Sequence, residues 1–198
     1  MAAKGERWPP VYDADDLANE IRRLTEGERL EREFFEWRLD RSISSPSDIC
    51  QGDVVLLRSD VPVILPDGQP GTLDHPEAVW MVVGNSCDFD RTIDDARWTQ
   101  LVPIADAGTL TDITKAQLNA ARRYTQARKF YVPPWSAQAE QHLHLADLLL
   151  PVALDKRAFH GPDVKLQARM SRAAWILLNA CLVRFLARDD GRYDIDAE

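Results

Sequence analysis

The stretch that decides the fold is VWMVVGNSCDFD, residues 79–90. Its apolar first half, residues 79–83, predicts a buried strand, because short apolar runs bounded by turn residues are typical of strands in a sheet core. The turn residues Gly-Asn-Ser follow at 84–86, and the chain then reaches a thiol and a carboxylate, Cys87 and Asp88. These residues predict a central strand with a polar exit, a place where rigid scaffolds often carry functional groups.

Short apolar runs on both sides of this stretch predict further strands. Pro62 has no amide to donate, so the run around it is expected at a sheet edge. Dense turn chemistry at 66–71 separates that run from the central strand. Short strands at this spacing predict a small, strongly curled, mostly antiparallel sheet or barrel. Besides the central strand, the predicted strands lie within residues 52–57, 61–65, 98–104, 142–147 and 148–154, and residues 130–134 are predicted as an extended segment.

Three helical patterns flank the predicted sheet, so the expected fold class is α+β. The first pattern begins at Asp13 and continues to Trp37, and Gly27 either divides it into two helices or leaves one helix with a weak point. The second predicts an inserted helix at 111–129, and the third predicts a C-terminal helix at 165–188.

The expected domain organisation is an N-terminal helical arm, residues 1–47, and a β-barrel-like domain, residues 48–198, that contains the other two helices. Charges alternate over 28–33, which is typical of a solvated helix face, although a partner-binding face is the alternative. The C-terminal helix is apolar on more than one side, which indicates burial in a core or in an oligomer contact. A homodimer or a partner protein is therefore expected.

The composition excludes several classes of protein. The 198 residues include 24 basic and 32 acidic ones, a net charge of −8, which disfavours a uniformly nucleic-acid-binding surface. The three cysteines are widely spaced and lack a Cys-x-x-Cys pair, so we expect neither a disulfide framework nor a zinc site, and we expect a reducing cytoplasm. No apolar run is long enough to span a membrane. No phosphate-loop or metalloprotease motif occurs, so no cofactor or metal is predicted.

The strand exit suggests chemistry at Cys87 and Asp88. A nucleophilic cysteine needs a base, and an adjacent carboxylate such as Asp88 disfavours the thiolate. The alternative is an inert thiol, with Asp88 capping the turn through backbone amides. The possible bases are His75, His142, His144 and His160, of which the His142-x-His144 pair could instead supply two metal ligands or face solvent.

Basic residues cluster along the predicted inserted helix. Their functional interpretation is contact with phosphate or RNA, and the alternative is pairing with helix ends or with acidic neighbours. The candidate nucleic-acid-binding residues are Arg122, Arg123, Arg128 and Lys129.

Three short motifs follow one another over residues 52–105, about a quarter of the chain. They are Gly52-Asp53-Val54-Val55, the stretch from Val79 to Ser86 with Phe89 and Thr92, and Leu101-Val102-Pro103-Ile104. Their order resembles the PemK/MazF-like family of small bacterial toxins. The resemblance implies an SH3-like barrel, dimerisation and a relation to RNA cleavage.

Two positions depart from the pattern of that family. Glu77-Ala78 stands where the family has Arg-Pro before the central strand, and Ala105 stands where it has the threonine of Pro-Ile-Thr. The resemblance assigns both positions to RNA cleavage. It therefore implies a barrel relative that has lost cleavage and gained other contacts.

Three functions from different classes follow. The first is a non-catalytic binding or interaction module in a bacterial conflict or stress system, such as toxin–antitoxin or phage defence. The second is an RNA-binding or ribonuclease-like protein that uses the basic helix, residues 115–129. The third is a cysteine-dependent enzyme centred on Cys87.

Overall fold

The computed structural model describes residues 14–26, 32–42, 46–57, 61–65, 67–73, 78–110, 113–136, 139–159 and 164–186. These ranges contain ten strands and four α-helices. The strands are β1 (Phe35–Ser42), β2 (Val54–Leu57), β3 (Val61–Ile64), β4 (Pro70–Leu73), β5 (Ala78–Val82), β6 (Trp98–Asp106), β7 (Lys129–Val132), β8 (His144–Asp147), β9 (Val152–Asp155) and β10 (Val164–Met170). The helices are α1 (Ala14–Thr25), α2 (Ser86–Asp90), α3 (Lys115–Arg122) and α4 (Arg172–Leu186).

The strands form one curled antiparallel half-barrel, which confirms the α+β class and the curled antiparallel sheet. The strand order is β1-β10-β2-β5-β6-β9-β3-β4. The predicted central strand, β5, lies between β2 and β6, with Met81 opposite Val54 and Trp80 opposite Pro103. The far half of β6 leaves β5 and β9 and pairs with β8, which pairs in turn with β7.

The alternation of side chains along β5 divides the core into two apolar clusters. Met81 and Val83 belong to the larger cluster, which also contains the buried residues of α4. Trp80 and Val82 belong to the smaller cluster. Because successive side chains of a strand point to opposite faces, β5 contributes to the core on both sides of the sheet.

The helix predicted to continue to Trp37 is wrong at its C-terminal end. Phe35–Ser42 is the strand β1, and it pairs with β10 from Phe35 opposite Met170 to Ser42 opposite Lys165. Phe34 and Phe35 are buried at the start of this strand. Long-range pairing thus overrides the local helical spacing. The helix start predicted at Asp13 and the weak point at Gly27 lie outside the described residues.

The C-terminal helix predicted at 165–188 is wrong in its first turns. Val164–Met170 is β10, and α4 begins only at Arg172. In β10 every second side chain is buried, beginning with Val164 and ending with Met170. Leu166 and Met170 are four residues apart, a spacing that fits one face of a helix as well as one face of a strand.

The inserted helix is shorter than the predicted range 111–129. Thr114 caps α3 in a reciprocal arrangement with Gln117, and the helix ends at Arg122. Tyr124 then adopts a positive φ of 54°, which ends the helical geometry. Lys129 already belongs to β7.

The run containing Pro62 is not at the sheet edge. Its strand, β3, lies between β9 and β4, and β4 takes the edge position instead. The pairing with β9 is limited to Val63 opposite Leu154, so Pro62 needs no amide on that side. No helix of the described part of the chain is long and apolar enough to cross a membrane.

Candidate functional site

The polar exit of the central strand is held by backbone hydrogen bonds. The amides of Val83 and Gly84 both donate to the carbonyl of Gln100, each at 3.0 Å. Gly84 lies so close to β6 that a Cβ there would come within 2.2 Å of Thr99 Oγ1. The residue must therefore be glycine for the strand exit to lie against β6.

The chain forms the short helix α2 where a loop was predicted, and Asn85 is its N-cap. Its side-chain oxygen accepts a hydrogen bond from the Cys87 amide at 3.0 Å, and its carbonyl accepts one from the Asp88 amide. The capping role considered for Asp88 is thus performed by Asn85. Cys87 and Asp88 both lie on α2.

The structure places no imidazole of the described residues beside Cys87. The thiol is exposed, and Asp88 forms an ion pair with Arg91 at 3.7 Å. His142 and His144 instead lie with Asp106, at the opposite end of β6. His75 and His160 lie outside the described residues. A catalytic role for Cys87 and Asp88 stays a prediction without an assigned base.

A cavity of about 450 Å³ opens beside α2, and we call it the exit cavity. Its walls combine a carboxylate, three side-chain amides, one hydroxyl and one indole. The guanidinium of Arg97 lies 5.0 Å from the Trp98 ring centre, which holds the indole at the rim. The lining residues are Gln51, Val83, Gly84, Asn85, Asp88, Trp98, Thr99, Gln100 and Ala153.

Gln51 joins the floor of this cavity to the C-terminal helix. Its side-chain amide donates to the carbonyl of Val83 at 2.9 Å, and its side-chain oxygen accepts from Trp175 Nε1 at 2.9 Å. Its backbone amide donates to Ser86 Oγ at 2.8 Å. These bonds fix the strand exit, the first residue of α2 and α4 relative to one another.

A fully buried lysine anchors the far end of α2. Lys156 Nζ donates to the carbonyl of Asp88 at 2.6 Å and to that of Arg91 at 3.0 Å. Carbonyls at a helix C-terminus lack partners within the helix, and a cation there is favoured by the helix dipole. Lys156 therefore holds α2, the helix that carries Cys87, against the sheet.

A second polar group lies at the other end of β6. His142 Nδ1 is 2.6 Å from Asp106 Oδ2, and His144 packs against Trp135 with ring centres 4.5 Å apart. Burial lowers the pKa of His144, while the hydrogen bond from the Gly108 amide lowers the pKa of Asp106. Among the described residues no group of three or more His, Cys, Asp or Glu side chains is arranged to hold a metal ion.

The four predicted nucleic-acid-binding residues do not share one environment. Arg128 Nη2 and Lys129 Nζ lie 2.6 and 2.7 Å from the same carboxylate oxygen of Asp147. Arg122 lies over the ring of Tyr131, with 5.9 Å between its Cζ and the ring centre. Asp147 thus pairs with two of the four cations and offsets one unit of their charge, and RNA contact through this set stays a prediction.

Several residues of the exit cavity carry no sequence motif. Gln51, Trp98 and Gln100 come together only because β6 folds back beside β5. The one sequence signal near them is the Gly52-Asp53 turn, whose position indicated that Gln51 precedes a strand.

No protein-family model, no curated protein and no solved structure matches this chain. The relation to PemK/MazF-like toxins therefore stays a prediction from three short motifs. What the chain does has to be inferred from its own residues and their geometry.

Proposed function

We propose that this protein is a non-catalytic binding module and that its partner occupies the exit cavity. The observation that carries the proposal is that the described residues of the site include groups able to bind a partner but no base beside its thiol. The cavity displays Asp88, Gln100 and Trp98, while no imidazole of the described residues stands beside the exposed thiol of Cys87. Such a surface can bind a ligand, but its described residues include no nucleophile and base paired to catalyse a reaction on that ligand.

The chemistry of the cavity favours a segment of polypeptide. Gln100 is exposed and can both donate and accept, as the backbone of an extended segment requires. Trp98 is half-buried and offers an apolar face with a fixed orientation. The cavity volume of about 450 Å³ accommodates two or three side chains rather than a folded domain.

The local charge favours a partner that is neutral or basic. The loop that borders the cavity carries Asp88, Asp90, Asp94 and Asp95 against Arg91 and Arg97. This excess of acid repels the phosphates of RNA and attracts cationic side chains. At the exit cavity a protein partner is therefore favoured over a nucleic acid.

The biological setting belongs to the same proposal. The resemblance to a PemK/MazF-like barrel that has lost cleavage supports a role in a bacterial conflict or stress system of the toxin–antitoxin or phage-defence type. Three free cysteines fit a cytoplasmic location. We expect the partner to be a second copy of the chain or a protein encoded by a neighbouring gene.

The test is to co-express the chain with the product of each adjacent gene and to measure complex formation by light scattering and titration calorimetry. Asp88→Asn and Gln100→Ala should each weaken the complex by about tenfold, the usual effect of removing a charged or buried hydrogen bond at an interface. The matched control is Asp94→Asn, which makes the same charge change on the same loop at an exposed residue outside the cavity.

Equal weakening by Asp88→Asn and Asp94→Asn would show that diffuse charge, and not the cavity, holds the partner. A strictly monomeric chain that binds none of these proteins would reject the proposal. Loss of an activity in a Cys87→Ser variant, with binding unchanged, would favour the cysteine-dependent enzyme instead.

A further inference from the structure

A cavity of about 490 Å³, apart from the exit cavity, lies where the C-terminal ends of α1, α3 and α4 approach one another. Three of its six lining residues are arginines that come from distant parts of the chain. We call it the arginine cavity. It is lined by Ile21, Arg22, Thr25, Arg123, Thr125 and Arg184.

Two of the three guanidinium groups of this cavity bond to neutral partners within the described residues. Arg22 Nη1 donates to the side-chain oxygen of Asn19 at 2.9 Å, and Arg184 Nη2 donates to the carbonyl of Gln126 at 3.1 Å. Arg184 Nε is buried and makes no hydrogen bond. The lining residues include no carboxylate, so the positive charge is not compensated within the cavity.

Helix ends explain only part of this charge. Arg22 lies in the last turn of α1, Arg123 caps the C-terminus of α3, and Arg184 lies in the last turn of α4. Each helix C-terminus carries about half a negative charge. Three guanidiniums beside three such ends therefore leave about one and a half positive charges for a ligand.

The other lining groups restrict the ligand further. The hydroxyls of Thr25 and Thr125 already donate to the carbonyls of Ile21 and Ala120, at 2.9 and 3.0 Å. The arginines are therefore the donors that a ligand would meet. No aromatic ring is among the lining residues, so the cavity offers no face on which a base could stack.

We propose that the arginine cavity binds a compact anion with two adjacent phosphate groups, as in pyrophosphate or the diphosphate of a nucleotide. Guanidinium forks pair with phosphate oxygens through two parallel hydrogen bonds, and a diphosphate has enough oxygens for three such groups. A cavity of this volume lies within the range of small-molecule sites. The site is separate from the exit cavity, with which it shares no lining residue.

The experiment is titration calorimetry of the full chain with inorganic pyrophosphate, ADP and inorganic phosphate at low ionic strength. Pyrophosphate and ADP should bind with similar affinity, because the phosphates alone are recognised, and inorganic phosphate at least tenfold more weakly. Arg123→Gln should weaken pyrophosphate binding by about tenfold or more, the loss expected for one charged hydrogen-bonding group. Arg123 is exposed, so this variant should keep the fold.

The matched control is Lys115→Gln, which removes one positive charge from an exposed residue of the same helix, outside the cavity. It should leave the pyrophosphate affinity within about twofold. Equal weakening by the two variants, or no binding heat with wild-type protein, would overturn the proposal. Binding of ADP without pyrophosphate, or stronger binding of single-stranded RNA than of either, would overturn it too.

Discussion

Two sets of cations in this protein have different partners. In the first set each cation lies against a buried carboxylate: Arg169 on Asp53, Arg128 and Lys129 on Asp147, and Arg97 and Arg157 on Asp155. In the second set, Arg22 and Arg184 of the arginine cavity bond to neutral oxygens.

The difference indicates which charges hold the fold and which can serve a ligand. Each buried carboxylate of the first set needs at least one of its cations, because without them its charge is left uncompensated in the protein. A cavity-lining cation bonded to a neutral oxygen keeps its full charge for an incoming anion, unlike the fully buried Lys156, which no ligand can reach. The first set should therefore affect stability, and the second should affect binding.

The largest expected effect is that of Asp53→Asn. Asp53 is fully buried and accepts hydrogen bonds from Arg169 Nε and Nη2 at 2.9 and 2.8 Å. Asparagine has one acceptor oxygen where Asp53 has two, so the substitution removes hydrogen bonds to the half-buried Arg169 side chain and should lower the free energy of unfolding by about 3 kcal/mol. Urea denaturation at pH 7 measures this loss. A change no larger than that of Asp94→Asn would refute a structural role for the pair.

Asp147→Asn should have a smaller effect on stability, about 1 to 2 kcal/mol, because the side chain of Arg128 is 45% exposed. It would also leave Arg128 and Lys129 without the Asp147 carboxylate, so that more of their charge could attract an anion. We therefore expect the variant to elute from heparin at higher salt than wild-type protein. Unchanged elution would show that these two cations are unavailable even without Asp147.

Acid should reduce the stability that the first set contributes through its ion pairs with Asp147 and Asp155. Burial alone would raise the pKa values of Asp147 and Asp155, but hydrogen bonds from their basic neighbours hold both below the ordinary value. Because these pKa values are lowered, the stabilisation is complete above the unfolded-state pKa of about 3.9 and is lost as the pH falls towards the folded values. Asp53 acts in the opposite sense, since burial raises its pKa.

Denaturation at a series of pH values from 7 down to 3 tests this expectation. Wild-type stability should decline as the pH falls below about 4, and the decline should be shallower in Asp155→Asn. A variant with the same slope as wild-type protein would show that other groups dominate acid unfolding.

The smallest expected effect is that of Arg123→Gln on stability. Arg123 is exposed and has no carboxylate partner within the described residues. The free energy of unfolding should change by less than about 0.5 kcal/mol, the usual range for a surface substitution. A loss above 1 kcal/mol would show that an arginine of the arginine cavity also holds the fold, and it would remove the distinction between the two kinds of cation.

The parts of the fold that could be predicted are those that a short stretch of sequence specifies by itself. The central strand β5 is a short apolar run between turns, and β2 and β6 share that pattern. By contrast, the start of β1 and almost all of β10 were predicted as helix, since the spacing of their apolar residues fits both periods and only their mutual pairing decides between them. The length of α3 depended on the backbone of Tyr124, which its residue type does not indicate.

The candidate sites also divide into one that consecutive residues form and others that distant residues form. The strand exit at Cys87 and Asp88 could be found because the residues are consecutive, although the alternative considered for Asp88, capping the turn, belongs to Asn85. The exit cavity and the arginine cavity could not be found. Their residues are contributed by separate elements, and no spacing in the sequence connects Arg22, Arg123 and Arg184.

The buried Lys156 has a consequence for the order of folding. The two carbonyls that it binds lie 68 and 65 residues earlier in the chain. The loop after β5 can therefore reach its final state only after the segment following β9 has been added, and closing a loop of that length is a slow, non-local step. In native-state hydrogen exchange, α2 should open before the strands on either side of it, and it should be the last helix protected during refolding.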